Sequence, residues 1–272
     1  MPRPYALGFV GAGNMAEGIV AGVLDAGVYE PGAIVAADPA AARRDLFAER
    51  FGVATTDDGL QVVGSADVIV LAVKPQVFGE VATVLAVGLS GDPLVLSIMA
   101  GWSSGAVAEA LGGGSIRVVR VMPNLPICVG AGVAGICAGA SATSEDVATV
   151  ERIFNAAGQS VVLDDEGLMD AVTAVSGSGP AYFYYFTEAI VAGGIEAGLE
   201  PGQALALAQN TCLGAARMML ETGIDPAELR RQVTSPGGTT QAAIESMTGA
   251  GVPEAIKQAV LAAAKRSKEL GK

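Results

Sequence analysis

Along the first ~160 residues, short β-branched runs alternate with longer Ala-rich stretches whose apolar positions recur at helical spacing. The strand-like runs fall at 6–10, 33–37, 68–73, 94–98 and 118–122, with a further pair near 132–137 and 160–163. The helical stretches fall at 14–26, 40–51, 76–87, 104–111 and 144–156. This alternation predicts a parallel sheet wound with helices on both faces. From about residue 165 the strand pattern stops. The segments 166–175, 180–197, 201–222, 227–234, 239–247 and 253–270 all read as helices, with Pro or Gly at their junctions. The change of pattern puts a boundary near 163–165, giving an α/β domain over 1–163 and an all-α domain over 164–272. The second half is rich in Ala and Gly, which suits close helix approach in a private core or across a dimer interface.

Composition narrows the chemistry. A chain of 272 residues with 51% hydrophobic content can bury a substantial core, and with only 5% aromatics that content is mostly Ala, Val, Leu and Ile. A net charge of −12 with no basic tract argues against a nucleic-acid surface. No apolar run reaches membrane-spanning length without interruption, and the amino end runs directly into a strand, so a cytoplasmic protein is expected. Cys128, Cys137 and Cys212 form no CxxC pair and read as single core thiols. There is no histidine. That excludes histidine acid catalysis and most transition-metal sites, and no metal is expected.

The candidate chemistry sits at element ends. Gly11, Gly13 and Ala16 form a G-x-G-x-x-A series between the first strand and the first helix, the fingerprint of a dinucleotide-binding turn. Asp38 ends the second strand, where an acidic side chain accepts from the adenosine ribose hydroxyls and favours NAD. Arg43 and Arg44 follow on the next helix and either answer the extra phosphate of NADP or face solvent. Lys74 is the only lysine before Lys257 and stands at a strand end, as a base, a coenzyme contact or a surface charge. Asn124 lies between two prolines, in a rigid exit or a plain turn. Ser176-Gly177-Ser178-Gly179-Pro180 reads as a flexible hydroxyl-bearing turn, either an anion seat or a simple link. Thr234-Ser235-Pro236-Gly237-Gly238-Thr239-Thr240 has hydroxyls and glycines but no charge. Its last two residues would begin a helix, where free N–H groups and the helix dipole suit a carboxylate or phosphate, or simply a Thr cap.

Taken together, these segments resemble the pyrroline-5-carboxylate reductase family. The matching pieces are Gly11–Ala16 with Asn14-Met15, Leu71-Ala72-Val73-Lys74-Pro75-Gln76, Ser97-Ile98-Met99-Ala100-Gly101, Arg120-Val121-Met122-Pro123-Asn124, the run from Ser176 to Tyr182, and the run from Val233 to Thr240 with Ala259–Leu270 behind it. The resemblance implies a Rossmann-type NAD(P)-binding domain followed by a helical substrate-binding and dimerisation domain, assembled as a homodimer or ring of dimers. It implies reduction of 1-pyrroline-5-carboxylate, a small-molecule substrate, to L-proline. By the resemblance, Ser235, Gly238, Thr239 and Thr240 hold the substrate carboxylate, and Thr240 donates to the imine nitrogen. Coenzyme contacts fall on Gly11, Gly13, Asn14, Met15, Ala72, Val73 and Lys74, with Ala100 and Gly101 beside the nicotinamide. NADP is favoured by the resemblance and NAD by Asp38. Leu125, Asn210 and Thr248 depart from the family's usual residues. The rival readings are a reductase of another small cyclic imine or of a 2-keto or hydroxy acid, and a non-catalytic NAD(P)-binding regulator. The absence of lysine between Gly167 and Ile256 disfavours a β-hydroxyacid dehydrogenase.

Overall fold

The computed structural model describes residues 3–113 and 115–271. Eight strands form one sheet in the order β3-β2-β1-β4-β5-β6-β7-β8. They are β1 (Tyr5–Val10), β2 (Ile34–Ala37), β3 (Ala54–Thr56), β4 (Ala66–Leu71), β5 (Leu94–Ser97), β6 (Arg117–Met122), β7 (Gly132–Ala138) and β8 (Gly158–Leu163). All neighbours are parallel except β6 and β7, which pair antiparallel. Central strands such as β1, β2 and β4 are near-continuous apolar runs because both faces are covered. One face packs against α1 (Asn14–Asp25), α2 (Ala41–Phe51) and later α6 (Ser144–Asn155), around Phe9, Ile19, Phe47 and Phe154. The other packs against α3 (Gly59–Ser65), α4 (Phe78–Gly88) and α5 (Ser104–Ala110), around Val62, Ile69, Phe78 and Leu85.

Two elements were not legible in the sequence. Strand β3 is three half-buried residues, Ala-Thr-Thr, at the sheet edge. Helix α3 begins with glycine and is set by the Asp58 side chain, which accepts from the Leu60 N–H at 2.9 Å. The cysteines also depart from expectation: only Cys137 is buried, while Cys128 and Cys212 are exposed. Burial pushes the Cys137 thiol up, and the nearby Glu166 carboxylate adds to the shift.

The chain forms two compact units. The first comprises the residues up to Ser178 together with those from Ala263 onward; the second is Gly179–Ala262. That division differs from the cut at 163/164 that the end of the strand pattern suggested. The segment after β8 runs through α7 (Met169–Val172) and belongs to the first unit, and the last turns of the final helix return to it.

The expected turn at 176–180 is helical instead. Helix α7 passes into a π-helical stretch, Thr173–Gly177, and then into α8 (Gly179–Glu196). The Ser178 N–H donates five residues back, to the Thr173 carbonyl at 2.8 Å. Pro180 is the second residue of α8, where a missing N–H is tolerated. In a regular helix that N–H would have met the Ser176 carbonyl. Instead the Asn124 side-chain amide donates to this carbonyl at 3.1 Å, while its Oδ1 accepts from the Val133 N–H at 2.9 Å. Asn124 is 8% exposed and joins the end of β6, the start of β7 and the π-helical stretch.

The second unit holds α8, α9 (Pro201–Thr222), α10 (Pro226–Gln232), α11 (Thr239–Gly249) and the beginning of α12 (Val252–Leu270). Across α8 and α9 the only hydrophobic side chains fully buried are Ala204 and Ala208, while Phe183, Tyr185, Phe186, Leu207 and Leu220 are exposed. A helical pair so apolar on its outer faces needs covering by another surface. Among the described residues, no helix is long and apolar enough to cross a membrane.

Replacing Asn124 with Ala leaves the half-buried Ser176 carbonyl and Val133 N–H without the partners that Asn124 supplies. It is expected to lower the unfolding free energy by about 2 kcal/mol, read from a denaturant titration with unchanged slope.

Candidate functional site

The sheet order reverses direction between β1 and β4, and open α/β sheets receive ligands at such a switch point. The strand exits there are knotted together by the backbone. The Gly11 N–H donates to the Ala37 carbonyl at 2.8 Å, the Ala72 N–H to the Val10 carbonyl at 2.8 Å, and the Ile98 N–H to the Leu71 carbonyl at 3.3 Å. Gly11 has φ +101°, and a Cβ on it would stand 2.6 Å from the Ala72 carbonyl oxygen. Only glycine makes that turn so close to the neighbouring strand exit.

Beyond the turn, α1 begins at Asn14, with Gly13 as its cap. The first intrahelical bond runs from the Glu17 N–H to Gly13, so the N–H groups of Asn14, Met15 and Ala16 have no acceptor among the described residues. They stand at the positive end of a 12-residue helix. Asn14 is exposed and Met15 half-buried, while Ala16 is buried beneath the turn.

A cleft of about 570 Å³ lies beside this turn. Gly11, Gly13, Asp38, Ala72, Val73 and Lys74 line it, so six of the sequence-predicted coenzyme residues share one cavity. Asp57, Asp58, Val77 and Val81 are among the other residues that line it. The two aspartates were not anticipated, because the β3–α3 connection that carries them was itself invisible in the pattern. Asn14, Met15, Ala100 and Gly101 are not part of its lining. Ala100 and Gly101 stand, half-buried, in the loop after β5.

Asp38 is already engaged. Its two carboxylate oxygens accept from the Ala12 and Ala40 N–H groups, each at 2.9 Å. The basic residues after it serve the scaffold. Arg43 donates to the Ala12 carbonyl at 2.5 Å and pairs with Glu17 at 2.8 Å, and Arg44 donates to the carbonyls of Asp38 and Pro39. Neither arginine lines the cleft, and neither is the solvated charge that its helix position suggested. Lys74 is exposed at the cleft wall, immediately before the turn Pro75–Val77.

The hydroxyl–glycine segment in the second unit forms the start of α11, as the pattern predicted. Gly238 caps the helix, and its N–H donates to the Ser235 carbonyl at 3.1 Å. Ser235 Oγ stands over Gly238, 2.5 Å from where a Cβ would be. The Gly237 N–H donates to the Gln241 side-chain oxygen at 2.7 Å, closing the loop from the next turn. The N–H groups of Thr239, Thr240 and Gln241 have no acceptor among the described residues, and neither the Ser235 nor the Thr240 hydroxyl has a partner there. The result is a neutral cluster of donors at a helix N-terminus, suited to a carboxylate. Gln241 was missed in the sequence; its only signal is its place one helical turn after Gly237.

A family described as pyrroline-5-carboxylate reductase dimerisation matches residues 166–270, and one described as NADP oxidoreductase, coenzyme F420-dependent, matches residues 6–101. A pyrroline-5-carboxylate reductase from Methanosarcina acetivorans is 42% identical over 98% of each chain. The solved structure of a pyrroline-5-carboxylate reductase from Coxiella burnetii superposes with a TM-score of 0.93, at 38% identity over 99% of each chain. That of the Plasmodium falciparum pyrroline carboxylate reductase with NADP bound gives 0.87, at 29% identity over the full length of each. The first half is accordingly an NADP-binding domain and the second a dimerisation domain that points to self-association.

Gly11→Ala is expected to strain the turn and press on the Ala72 carbonyl. Titration of the protein with reduced nicotinamide dinucleotide, followed by coenzyme fluorescence, should then show affinity lower by about tenfold or more.

Proposed function

The chain belongs to the pyrroline-5-carboxylate reductase family and is a reductase of that kind, and we propose how its own residues carry out the reaction. The coenzyme lies across the cleft at the Gly11 turn, its pyrophosphate on the free N–H groups of Asn14 and Met15. Gly13 leaves room for that approach, since no atom lies within 4 Å of where its Cβ would be. Ala72, Val73 and Lys74 border the coenzyme from the β4 exit, and Ala100 and Gly101 flank the nicotinamide. When bound, the reduced nicotinamide supplies the hydride.

The substrate carboxylate sits on the α11 N-terminus, held by the N–H groups of Thr239 and Thr240, by the Ser235 hydroxyl and against Gly238. A ring imine accepts hydride readily only when its nitrogen is protonated or strongly hydrogen-bonded. Thr240 is assigned that donor role, passing a hydrogen bond or relaying a proton from water, because a hydroxyl is too weak an acid to serve alone. Orientation then carries much of the rate, with effective molarity contributing on the order of 7–11 kcal/mol in well-aligned cases. The observation that carries this reading is the set of donors at the start of α11, the N–H groups of Thr239 and Thr240 with the Ser235 and Thr240 hydroxyls, which have no partner among the described residues and no carboxylate in their segment to repel an anionic ring.

For the coenzyme, we infer a preference for NADH. Asp38, Asp57 and Asp58 line the cleft, while the nearest guanidinium groups are engaged by the backbone and Glu17. A 2′-phosphate placed there would meet three carboxylates, with Lys74 the one cation in the same lining. For assembly, the apolar surfaces of α8 and α9 support a homodimer or a ring of dimers, with 164–272 as the substrate-binding and dimerising part of the chain.

Two substitutions separate the roles in an assay of NAD(P)H oxidation by the cyclic imine. Thr240→Ala is expected to lower kcat by about 10²-fold with little change in coenzyme affinity. Ser235→Ala is expected to raise KM for the imine by about tenfold with kcat nearly kept. Full turnover in the first variant, or an unchanged KM in the second, would remove the cradle from the mechanism. In parallel titrations, Asp38→Asn is expected to move the ratio of kcat/KM toward NADPH by about tenfold; a ratio that stays put refutes the charge argument.

A further inference from the structure

Gly101 has φ +81°, and its Cβ position is filled from outside by the far end of the chain. A Cβ there would stand 3.0 Å from the Leu270 carbonyl oxygen and 3.3 Å from Gly271 Cα. The contact is mutual, because a Cβ on Gly271 would lie 2.8 Å from the Gly101 carbonyl oxygen. Two glycines therefore bring the backbone leaving α12 directly against the loop after β5. One turn earlier, Ser267 is 5% exposed and its hydroxyl donates to the Asp170 carboxylate at 2.6 Å, fixing α12 to α7.

The loop that α12 meets is fastened on its other side to the coenzyme cleft. The Trp102 indole N–H donates to the Pro75 carbonyl at 3.1 Å, and its ring stands edge-on to Phe78 with centroids 4.7 Å apart. Pro75 follows Lys74 directly, and Lys74 lines the cleft. One connected path thus runs from Asp170 through Ser267, Leu270–Gly271 and Gly101 to Trp102 and the Lys74–Pro75 turn.

We propose that the end of α12, from Ser267 to Gly271, is a latch that positions the Met99–Trp102 loop and with it the coenzyme site. The inference rests on the reading that this loop borders the coenzyme, and it concerns coenzyme binding rather than imine chemistry. Ser267 and Gly271 are positioning residues, since neither touches the reacting atoms.

The molecule supplies its own probe, because Trp102 is the only tryptophan. Three variants of the full chain are compared: removal of residues 270–272, Ser267→Ala, and Ser267→Thr as the conservative control. Trp102 emission and the affinity for NADH and NADPH are measured without imine, so that a failed assignment of substrate would not affect the result. In the truncated protein, Trp102 emission should shift, and the coenzyme Kd should rise about fivefold or more, as expected for a site that loses preorganisation. Ser267→Ala should move both in the same direction by less, and Ser267→Thr should restore them. With imine present, KM for the coenzyme should rise while kcat at saturating coenzyme stays within about twofold. If truncation prevents folding, the comparison rests on Ser267→Ala and on Gly271→Ala, whose Cβ would press on the Gly101 carbonyl from the α12 side of the contact. A coenzyme Kd unchanged in the folded variants overturns the proposal, whatever their thermal stability.

Discussion

Everything at the coenzyme end depends on how one residue, Ala12, is held through the peptide units on either side of it. The Ala12 N–H is taken by Asp38 and the Ala12 carbonyl by Arg43, so the middle of the glycine turn is gripped by the residue that follows β2 and by α2. Glu17, one turn into α1, then pairs with Arg43 and Arg50 and binds α1 to α2. The charges are partly buried and mutually hydrogen-bonded, which favours a fixed geometry over large net stabilisation. The gain is direction. With the peptide at Ala12 immobile, the free N–H groups that follow it point to one place, and a bound anion meets donors that need no rearrangement.

Neutral donors are the common chemical theme. The chain has no histidine, and the hydroxyl–glycine segment contains neither carboxylate nor lysine. Both proposed anion seats are the N-termini of helices longer than ten residues, α1 and α11. An imine reductase needs no strong acid if its substrate nitrogen is already basic, and a hydroxyl set beside a helix dipole is enough to orient it. The same neutrality keeps the site from competing with its substrate for charge.

Much of this was legible from the residues alone, for identifiable reasons. The Gly11–Ala16 turn announces itself because each small residue there answers a steric demand, and the α11 start because Pro and Gly-Gly interrupt a helix before two threonines. What failed was punctuation read too literally. Pro180 was read rightly as opening a helix, but the residues before it were read as a turn; the helical backbone runs through them, and Asn124 satisfies the carbonyl that Pro180 leaves open. Strand β3 and helix α3 were missed because three half-buried edge residues and a Gly-led turn carry almost no periodicity. Arg43 and Arg44 were weighed as phosphate ligands or solvent charges, and no sequence pattern could have disclosed that backbone carbonyls claim them. The contact between Gly101 and Gly271 joins positions 170 residues apart in the chain, beyond the reach of any local rule.

The outward apolar character of α8 and α9 has a thermodynamic consequence. With only Ala204 and Ala208 fully buried among their hydrophobic side chains, this pair lacks a core able to offset the entropy of ordering forty residues. Self-association that covers those faces adds to the stability of the unit, by an amount that grows with protein concentration. Dilution weakens the fold, and a substitution on the outer face of α8 would register as lost stability as well as a change in assembly.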